Sequence, residues 1–341
     1  MSNKIKTLQK IGFPKIFKAL LIIKNKNKFN LKIKNIIANT VNNNDVVIKV
    51  AYASLNYKDV LMFRGNTGLA KKYPHVPGID CSGIIVHSKS KKFSINEKVM
   101  VVGRPIGVKT FGSVAEFIVV PDSWIEIIPN KMNLKNTIIF GTAGFAAMLA
   151  VNTVIKNKLN KNYPILVTGA SGGVGILSVY ILRKFRYEVS CITRNIKSYK
   201  LLKKLGSSEI INPKNFNNLP NMPLLKIKFS GIIDNIGGEV ISLGLKQLIN
   251  NGAIISIGNA SSEISKINIM PFILRGVKII GINAESTSEK VRRKIWKNIS
   301  TIANDKKIKL LYQEYNFKNS VKALNKLSSS KHFGRIIIKF N

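Results

Sequence analysis

The stretch Ile165-Leu-Val-Thr-Gly-Ala-Ser-Gly-Gly-Val-Gly175 decides how the second half of this chain folds. An apolar run ends in four glycines within seven residues, and an apolar pattern resumes over residues 176–183. A run before the turn and a pattern after it are typical of a strand and a helix. Glycines at such a turn let the backbone approach a ligand closely. The stretch therefore predicts a strand–turn–helix unit with an anion site where the helix begins.

Strands and helices alternate on both sides of this turn, from about residue 137 onward. The candidate strands are residues 165–168, 188–193, 231–234, 253–257 and 277–281. The candidate helices include residues 198–205, 240–249 with Gly252 as a stop, 288–303 and 318–327. This alternation predicts an α/β fold with a doubly wound parallel sheet, covered by helices on both faces.

The first part of the chain has a different rhythm, with short β-rich runs separated by turns. These runs cover residues 46–52, 83–86, 98–102 and 115–120, and residues 334–340 have the same character. They predict an antiparallel, barrel-like domain that receives its last pieces from the C-terminal segment. We therefore expect this domain to comprise residues 1–136 and 286–341, with the parallel-sheet domain between them at 137–285.

The chain is strongly basic, but the surplus charge is a weak guide to function. The 341 residues include 55 Lys and Arg against 16 Asp and Glu, which gives a formal net charge of +39. The surplus is spread evenly and accompanies many Asn and Ile residues, which share A/T-rich codons with Lys, so we expect no specific nucleic-acid partner. The basic residues 1–17 are too short and too interrupted for a secretory signal. Apolar runs are interrupted before they reach the length of a membrane span, so no membrane association is expected.

Cysteine and histidine are too few for the metal sites that some dehydrogenases use. The chain has two cysteines, Cys81 and Cys191, and three scattered histidines. A structural zinc site usually takes four cysteines, and a catalytic site takes three protein ligands. We therefore predict no metal, and a reducing cytoplasm is the expected location for two such distant cysteines.

The residues after the second strand bear on the choice of nucleotide. A site for NAD normally ends that strand with Asp or Glu, which holds the ribose 2′-hydroxyl. Here the strand ends in Thr193, Arg194 and Asn195, and no carboxylate follows closely. An arginine and a hydroxyl suit a 2′-phosphate, so this pattern favours NADPH. The alternative is that Arg194 is one more surface cation in a lysine-rich chain.

Five motifs in the same order resemble those of the zinc-free medium-chain dehydrogenase/reductase superfamily, in its acrylyl-CoA reductase or quinone-oxidoreductase-like subgroup. The motifs lie at residues 54–59 (SLNYKD), 76–80 (VPGID), 141–149 (GTAGFAAML), 167–175 (VTGASGGVG) and 270–277 (MPFILRGV). The resemblance implies a GroES-like catalytic domain and a Rossmann domain. It also implies NADPH-dependent reduction of the carbon–carbon double bond of acryloyl-CoA, in a cytoplasmic homodimer.

The resemblance also implies a set of site residues. Tyr57 is the candidate hydrogen-bond or proton donor, because its phenol can donate either to a nearby substrate. Asn56 and Asp59 are grouped with it as candidate catalytic residues, although short polar side chains bond to nearby backbone and more often hold such a loop in place. The cofactor would contact Tyr57, Thr142, Ser171, Gly172, Gly173, Val174, Thr193, Arg194, Asn195, Ile257, Gly258, Phe272 and Arg275. Arg275 could instead be a solvated surface charge.

Two departures from the subgroup pattern affect specificity. The basic residue after the second strand has moved one place forward, to Arg194. The loop at residues 103–112 has Val108, Thr110 and Phe111 where the subgroup shows an acidic residue and a His-Trp pair. Two other functions therefore stay open. One is reduction of quinones or free enones, and the other is nucleic-acid binding with a vestigial cofactor site.

Overall fold

The secondary structure changes in kind along the chain, as the sequence predicts. The computed structural model describes residues 12–26, 28–330 and 332–341. In this part of the chain the strands are β1 (Ile16–Asn25), β2 (Lys28–Ile37), β3 (Asp45–Leu55), β4 (Asp80–Ser88), β5 (Lys98–Val102), β6 (Phe117–Pro121), β7 (Glu126–Ile127), β8 (Ile165–Val167), β9 (Val189–Ile192), β10 (Glu209–Ile211), β11 (Phe229–Asp234), β12 (Leu248–Ser256), β13 (Lys278–Gly281), β14 (Tyr312–Asn316) and β15 (Arg335–Lys339). The helices are α1 (Tyr57–Phe63), α2 (Leu134–Lys156), α3 (Gly173–Lys184), α4 (Tyr199–Leu205), α5 (Pro213–Asn217), α6 (Glu239–Leu245), α7 (Met270–Arg275), α8 (Glu289–Ile302) and α9 (Ser320–Ser328).

The chain folds into two compact units. Unit 1 comprises residues 1–142 and 312–341, and unit 2 comprises residues 143–311. The expected return to the first domain at residue 286 thus comes later, at residue 312. The reason is that α8 belongs to unit 2, where Ile295 and Ile299 are buried and the Tyr180 hydroxyl of α3 donates to Ile302 O at 2.6 Å.

Unit 1 is built on a mostly antiparallel sheet. Its strand order is β14-β15-β3-β4-β5-β7, and β6 pairs with β3 as well. The strand β15 pairs antiparallel with β3, so the C-terminal segment lies inside this sheet. Alternating apolar residues of the strands form the core, which includes Val46, Ile48 and Val50 of β3. The strands β1 and β2 form a separate antiparallel pair.

Unit 2 contains a six-stranded parallel sheet in the order β10-β9-β8-β11-β12-β13. Counted from β8, this is the 3-2-1-4-5-6 order of the Rossmann fold, which confirms the predicted doubly wound sheet. The central strands β8 and β11 are buried along their whole length because both faces are covered. The order reverses between β8 and β11, and ligands of such sheets bind at the carboxyl ends of the strands at this point.

The structure differs from the sequence prediction where α6 ends. The apolar pattern predicts a helix over residues 240–249, but α6 ends at Leu245 and Leu248 already pairs with Phe229 in the sheet. Gly252, predicted as the helix stop, lies inside β12 after a left-handed Asn251 with φ of 60°. At the other end of the chain, the basic segment 1–17 falls mostly outside the described residues, and β1 begins at Ile16.

Among the residues that the structure describes, α2 is the one helix that is long and apolar enough to span a membrane by composition. Its most apolar window is 72% buried within the protein, which is how the core helix of a globular protein behaves. The helix is also interrupted at Gly141, where φ is 49° and ψ is −152°. This burial and this break indicate a core helix.

Candidate active site

The glycine turn at residues 169–175 connects β8 to α3, as predicted. Gly169 has φ of +57°, a left-handed conformation that favours glycine. A Cβ atom on Gly175 would lie 2.3 Å from Gly169 O and 2.7 Å from Ala170 Cα, so α3 packs directly against the turn. A Cβ on Gly172 would meet only Gly169 O, at 3.3 Å. Gly175 therefore serves packing, whereas Gly172 faces open space.

Backbone N–H groups point out of the helix beside this open space. The first hydrogen bond within α3 runs from Ile176 N to Gly172 O at 2.9 Å. The N–H groups of Gly173 and Val174 precede that bond and have no acceptor within the helix. Ser171, Gly172, Gly173 and Val174 are all half-buried and thus reachable. Together with the positive end of the helix dipole, these groups can hold a diphosphate.

The end of β9 lies against the same turn. The hydroxyl groups of Ser171 and Thr193 form a hydrogen bond of 2.8 Å, and the Asn195 N–H donates to Thr193 Oγ1 at 3.1 Å. Thr193 is buried, whereas Arg194 is exposed. The structure thus brings together Ser171, Thr193 and the predicted diphosphate site. The exposed Arg194 is in a position to meet an anion at the edge of that site.

The end of β11 adds polar groups at the point where the strand order reverses. The buried Asp234 carboxylate accepts from Thr168 Oγ1 at 2.6 Å and from Gly237 N at 2.9 Å. Burial raises the pKa of Asp234, while these donors lower it. The next residue, Asn235, donates its side-chain N–H to Thr168 O at 2.8 Å.

The side-chain oxygen of Asn235 lacks a hydrogen-bond partner in the part of the chain that the structure describes. Its Oδ1 is buried and accepts no hydrogen bond from the described residues. An amide oxygen without a partner beside a nucleotide site is a natural acceptor for a ligand N–H or hydroxyl. The acceptor Asn235 Oδ1 and the open space at Gly172 are both features that a dinucleotide can use, so the residues present fit such a ligand. The sequence predicted a strand at residues 231–234, but nothing in it marked Asn235 as a ligand-binding residue.

The remaining predicted cofactor residues of unit 2 have mixed outcomes. Ile257 and Gly258 follow β12, and a Cβ on Gly258 would lie 2.9 Å from Asn235 O, so the two strand ends are in contact. Phe272 is half-buried on α7. The prediction for Arg275 is contradicted, because its guanidinium donates to the backbone carbonyls of Lys246, Leu248 and Leu225 at 2.8–3.1 Å. Arg275 therefore ties α7 to its neighbouring loops instead of a cofactor phosphate.

The candidate catalytic residues lie in unit 1, where α1 begins. Tyr57 is the first residue of α1 and is 49% exposed, so its phenol is accessible to a ligand. Asp59 is fully buried and accepts from Asn56 N at 2.7 Å and from Gly78 N at 2.6 Å. Burial raises the pKa of Asp59 to about 7, against the lowering effect of these N–H donors. These contacts contradict the prediction of Asp59 as a catalytic group, since it holds the loop.

Asn56 and Thr142 both contact Asp80, a residue that the sequence analysis did not select. The Asn56 side chain donates to Asp80 Oδ2 at 3.0 Å, and its Oδ1 accepts from Arg335. These contacts fix Asn56 in place next to Tyr57, and its role as a catalytic group stays a prediction. Thr142 donates its backbone N–H and its hydroxyl to Asp80 and accepts from Gly103 N at 3.1 Å.

The residues present do not fit a zinc ion. Within residues 12–26, 28–330 and 332–341, no group of three or more His, Cys, Asp or Glu side chains could hold a metal. Both cysteines are buried, and burial raises the pKa of the Cys191 thiol to about 11 and that of the Cys81 thiol further still. Neither sulfur is a ready thiolate ligand.

A GroES-like sheet unit combined with a Rossmann unit and its glycine turn defines a class, the medium-chain dehydrogenases and reductases. Residues 42–130 match the family described as alcohol dehydrogenase GroES-like domain, and residues 173–301 match the one described as zinc-binding dehydrogenase. The chain belongs to the medium-chain dehydrogenase/reductase superfamily, in the subgroup with acrylyl-CoA reductases and quinone oxidoreductases. The predicted nicotinamide cofactor is confirmed with this membership, since the family binds it.

Individual relatives resemble the chain over nearly its full length. YhfP of Bacillus subtilis, which carries the name of a quinone oxidoreductase, is 31% identical over 95% of this chain and 99% of its own. The acrylyl-CoA reductase AcuI of Ruegeria pomeroyi is 31% identical over 84% of this chain and 87% of its own. The yhdH oxidoreductase from Salmonella enterica, solved in complex with NADP, has a TM-score of 0.89 at 28% identity, over 95% of this chain and 100% of its own.

Proposed function

We propose that this protein uses NADPH to reduce the carbon–carbon double bond of acryloyl-CoA, or of a similar short enoyl thioester, to the saturated acyl-CoA. The observation that carries the proposal is the nucleotide site of unit 2. There the glycine turn, which is open over Gly172, adjoins a strand end with Thr193 and Arg194 and no carboxylate. The named acrylyl-CoA reductases among the relatives support the substrate class.

The chain's own residues divide the work between binding and proton donation. A bound NADPH would supply the hydride that Cβ of the enoyl group needs. The N–H groups of Gly173 and Val174 hold the diphosphate, and Arg194 pairs with the 2′-phosphate. The Tyr57 hydroxyl donates a hydrogen bond to the thioester oxygen, where negative charge develops. Once the hydride is on Cβ, the same hydroxyl gives its proton to Cα, which completes the saturated product, and solvent reprotonates the Tyr57 phenolate.

The decisive experiment is NADPH consumption with acryloyl-CoA, compared with a simple quinone at equal concentration. We expect turnover with the thioester, much slower turnover with NADH, and a rate loss of roughly 100-fold in Tyr57→Phe. The matched control is Tyr163→Phe. Tyr163 is also exposed but lies in unit 2, so this variant removes a tyrosine hydroxyl outside the candidate catalytic residues. Failure to oxidise NADPH with a range of short 2-enoyl-CoA esters would refute the proposal.

The second candidate is reduction of quinones or free enones. The observation in its favour is the likeness to YhfP, whose name is that of a quinone oxidoreductase and whose match covers 95% of this chain. The same comparison of acceptors separates the two functions, because a quinone reductase turns over without the CoA moiety. Preference for the quinone at equal concentration would select this candidate.

We further propose that the protein is a cytoplasmic homodimer joined along β13. Among the described residues this strand pairs with β12 alone and forms an edge of the sheet. Ile279 on β13 and Ile273 and Leu274 on the adjoining α7 are exposed apolar side chains. An unpaired edge with such neighbours is suited to a second copy of the same strand. Sedimentation should show a dimer, and Ile279→Lys should yield monomers while Ile264→Lys, a control at another exposed isoleucine, should not.

A further inference from the structure

A buried carboxylate in unit 1 gathers donors from distant parts of the chain. Asp80 is the first residue of β4 and is fully buried. Its Oδ2 accepts from Ser54 Oγ at 2.7 Å, from Asn56 Nδ2 at 3.0 Å and from Thr142 N at 3.0 Å, and its Oδ1 accepts from Thr142 Oγ1. Arg335 Nη2 lies 3.4 Å from Oδ2. Both oxygens are therefore engaged.

The arginine that neutralises this carboxylate is buried as well and makes its own directed contacts. Arg335 Nη1 donates to Asn56 Oδ1 at 2.9 Å, Nη2 donates to Ser54 Oγ at 2.7 Å, and Nε donates to Ile139 O at 3.2 Å. A buried ion pair is tolerated only when further hydrogen bonds satisfy both partners, and this pair meets that condition. The planar guanidinium is needed for the geometry, because a lysine could not reach three acceptors in this fork.

The helix break at Gly141 allows Thr142 to join the group. A Cβ atom on Gly141 would lie 2.6 Å from Asp80 Oδ2 and 3.1 Å from Arg335 Nη2, and the φ of +49° favours glycine. With no Cβ there, the backbone of α2 comes close enough for two donors of Thr142 to reach the carboxylate. A straight helix would keep its N–H groups for its own ladder.

Asn56 is held at every polar group that the contacts describe. Its backbone N–H donates to Asp59, its side-chain N–H donates to Asp80, and its side-chain oxygen accepts from Arg335. Tyr57 follows it directly and presents its ring to solvent. The position of the Tyr57 backbone is thus set by two buried carboxylates and one buried arginine, none of which is near the surface itself.

We propose that Asp80 and Arg335 are positioning residues of the active site, which act through Asn56 and hold Tyr57 and Thr142 at a fixed separation. The inference rests on the proposed function, in which Tyr57 donates to the substrate. In this proposal the ion pair fixes the position of Tyr57, because the neighbouring Asn56 donates its side-chain N–H to Asp80 and accepts from Arg335 through its side-chain oxygen.

The test is a double-mutant cycle between Arg335→Lys and Tyr57→Phe. Arg335→Lys keeps the positive charge beside Asp80 but removes the fork that holds Asn56 and Ser54. We expect it to slow single-turnover NADPH oxidation by about 10-fold or more in the wild-type background, and by less than about 2-fold when Tyr57 is already Phe. Equal losses in both backgrounds would mean a merely structural residue and would overturn the proposal.

A second variant keeps the test valid if Arg335→Lys does not fold. Asn56→Ser retains a residue that caps helices well but cannot reach Asp80 and Arg335 together. It should show the same dependence on Tyr57, and independence would count against the proposal. The control is Ser113→Ala, which removes a 2.6 Å hydrogen bond to the backbone oxygen of Asp80 and leaves the carboxylate contacts intact. Its rate should match that of the parent in both backgrounds.

The same cycle, read in NADPH affinity by fluorescence titration, separates this inference from the proposed function. Coupling between residues 335 and 57 in the dissociation constant, with no turnover of any enoyl thioester, would refute the reductase function and support the positioning role. If acryloyl-CoA is turned over but the effects of the substitutions at residues 335 and 57 are additive in both rate and affinity, the reductase function is supported and the positioning role is refuted. Thermal unfolding of each variant confirms that the comparison is between folded proteins.

Discussion

Two polar regions of this protein differ in whether their hydrogen-bonding groups have partners within the chain. At the glycine turn of unit 2, the N–H groups of Gly173 and Val174 precede the helix ladder, and Asn235 Oδ1 has no partner among the described residues. Around Asp80 in unit 1, every carboxylate oxygen and every guanidinium nitrogen has a partner. Unsatisfied groups mark where a ligand is to bind, whereas satisfied groups mark a support. Substitutions in the two regions should therefore fail in different ways.

The largest effect is expected at Gly175, where the ligand site depends on packing. An alanine Cβ would lie 2.3 Å from Gly169 O, and backbone on both sides cannot move away cheaply. We expect Gly175→Ala to lower the free energy of unfolding by about 3 kcal/mol and to abolish saturable NADPH binding. Gly172→Ala is the matched control, since its Cβ meets only one atom, at 3.3 Å. It should retain the thermal midpoint and weaken only NADPH binding, and wild-type affinity in Gly175→Ala would contradict the comparison.

Arg275 tests whether a basic residue of unit 2 is a support instead of a ligand. Its guanidinium donates to three backbone carbonyls. We expect Arg275→Met to lower the free energy of unfolding by about 3 kcal/mol, because three acceptors lose a charged donor. Affinity for NADPH, measured at a temperature where the variant is folded, should stay within about 2-fold of wild type. A selective loss of NADPH affinity without destabilisation would restore the original prediction of a phosphate contact.

Arg194 tests the opposite case, an exposed cation that is kept for a ligand. Loss of one charge-assisted contact to a 2′-phosphate should weaken NADPH binding by roughly 20-fold, or about 2 kcal/mol. Affinity for NADH should not change in Arg194→Ala, because NADH has no phosphate there. Arg293→Ala removes another exposed arginine of unit 2 and serves as the control for net charge. Equal losses for NADPH and NADH in Arg194→Ala would show that Arg194 is a general surface cation.

The pH dependence of stability sharpens the comparison in unit 1. Burial raises the pKa of Asp59 to about 7 in the folded protein, far above its value in an unfolded chain. The folded state therefore holds the proton more tightly, so the contribution of Asp59 is fully present at low pH and is lost as pH rises through about 7. Between about pH 5 and pH 8, the free energy of unfolding of wild type should fall by about 2 kcal/mol relative to Asp59→Asn. Parallel curves from denaturant titrations of the two proteins would contradict this assignment.

The sequence predicted most of unit 2 because its signals are local. The glycine turn, the flanking strands and the pair Thr193–Arg194 lie within about thirty residues, and the turn dictates its own geometry. Long-range contacts were out of reach. Asp80 and Arg335 are 255 positions apart, and nothing in either neighbourhood indicates that they meet. The sequence also does not distinguish an arginine that binds a phosphate from one, such as Arg275, that binds backbone carbonyls.

Periodicity failed where two kinds of element share one apolar run. Residues 240–249 have a pattern that suits a helix throughout, but Leu248 pairs in the sheet, and tertiary contact overrides local preference. The burial of Asp59 was similarly hidden, since a sequence gives the charge of a carboxylate and not its depth.

The division of unit 1 into two segments, with all of unit 2 between them, has a consequence for biosynthesis. Strand β15 carries Arg335 and pairs with β3, so the ribosome must make every residue of unit 2 before that pairing can form. Unit 2 is contiguous and can complete its own core during translation. Until then, residues 52–55 of β3, just before Tyr57, lack their β15 partner. The parallel sheet of unit 2 can therefore form first, and the sheet of unit 1 is completed last.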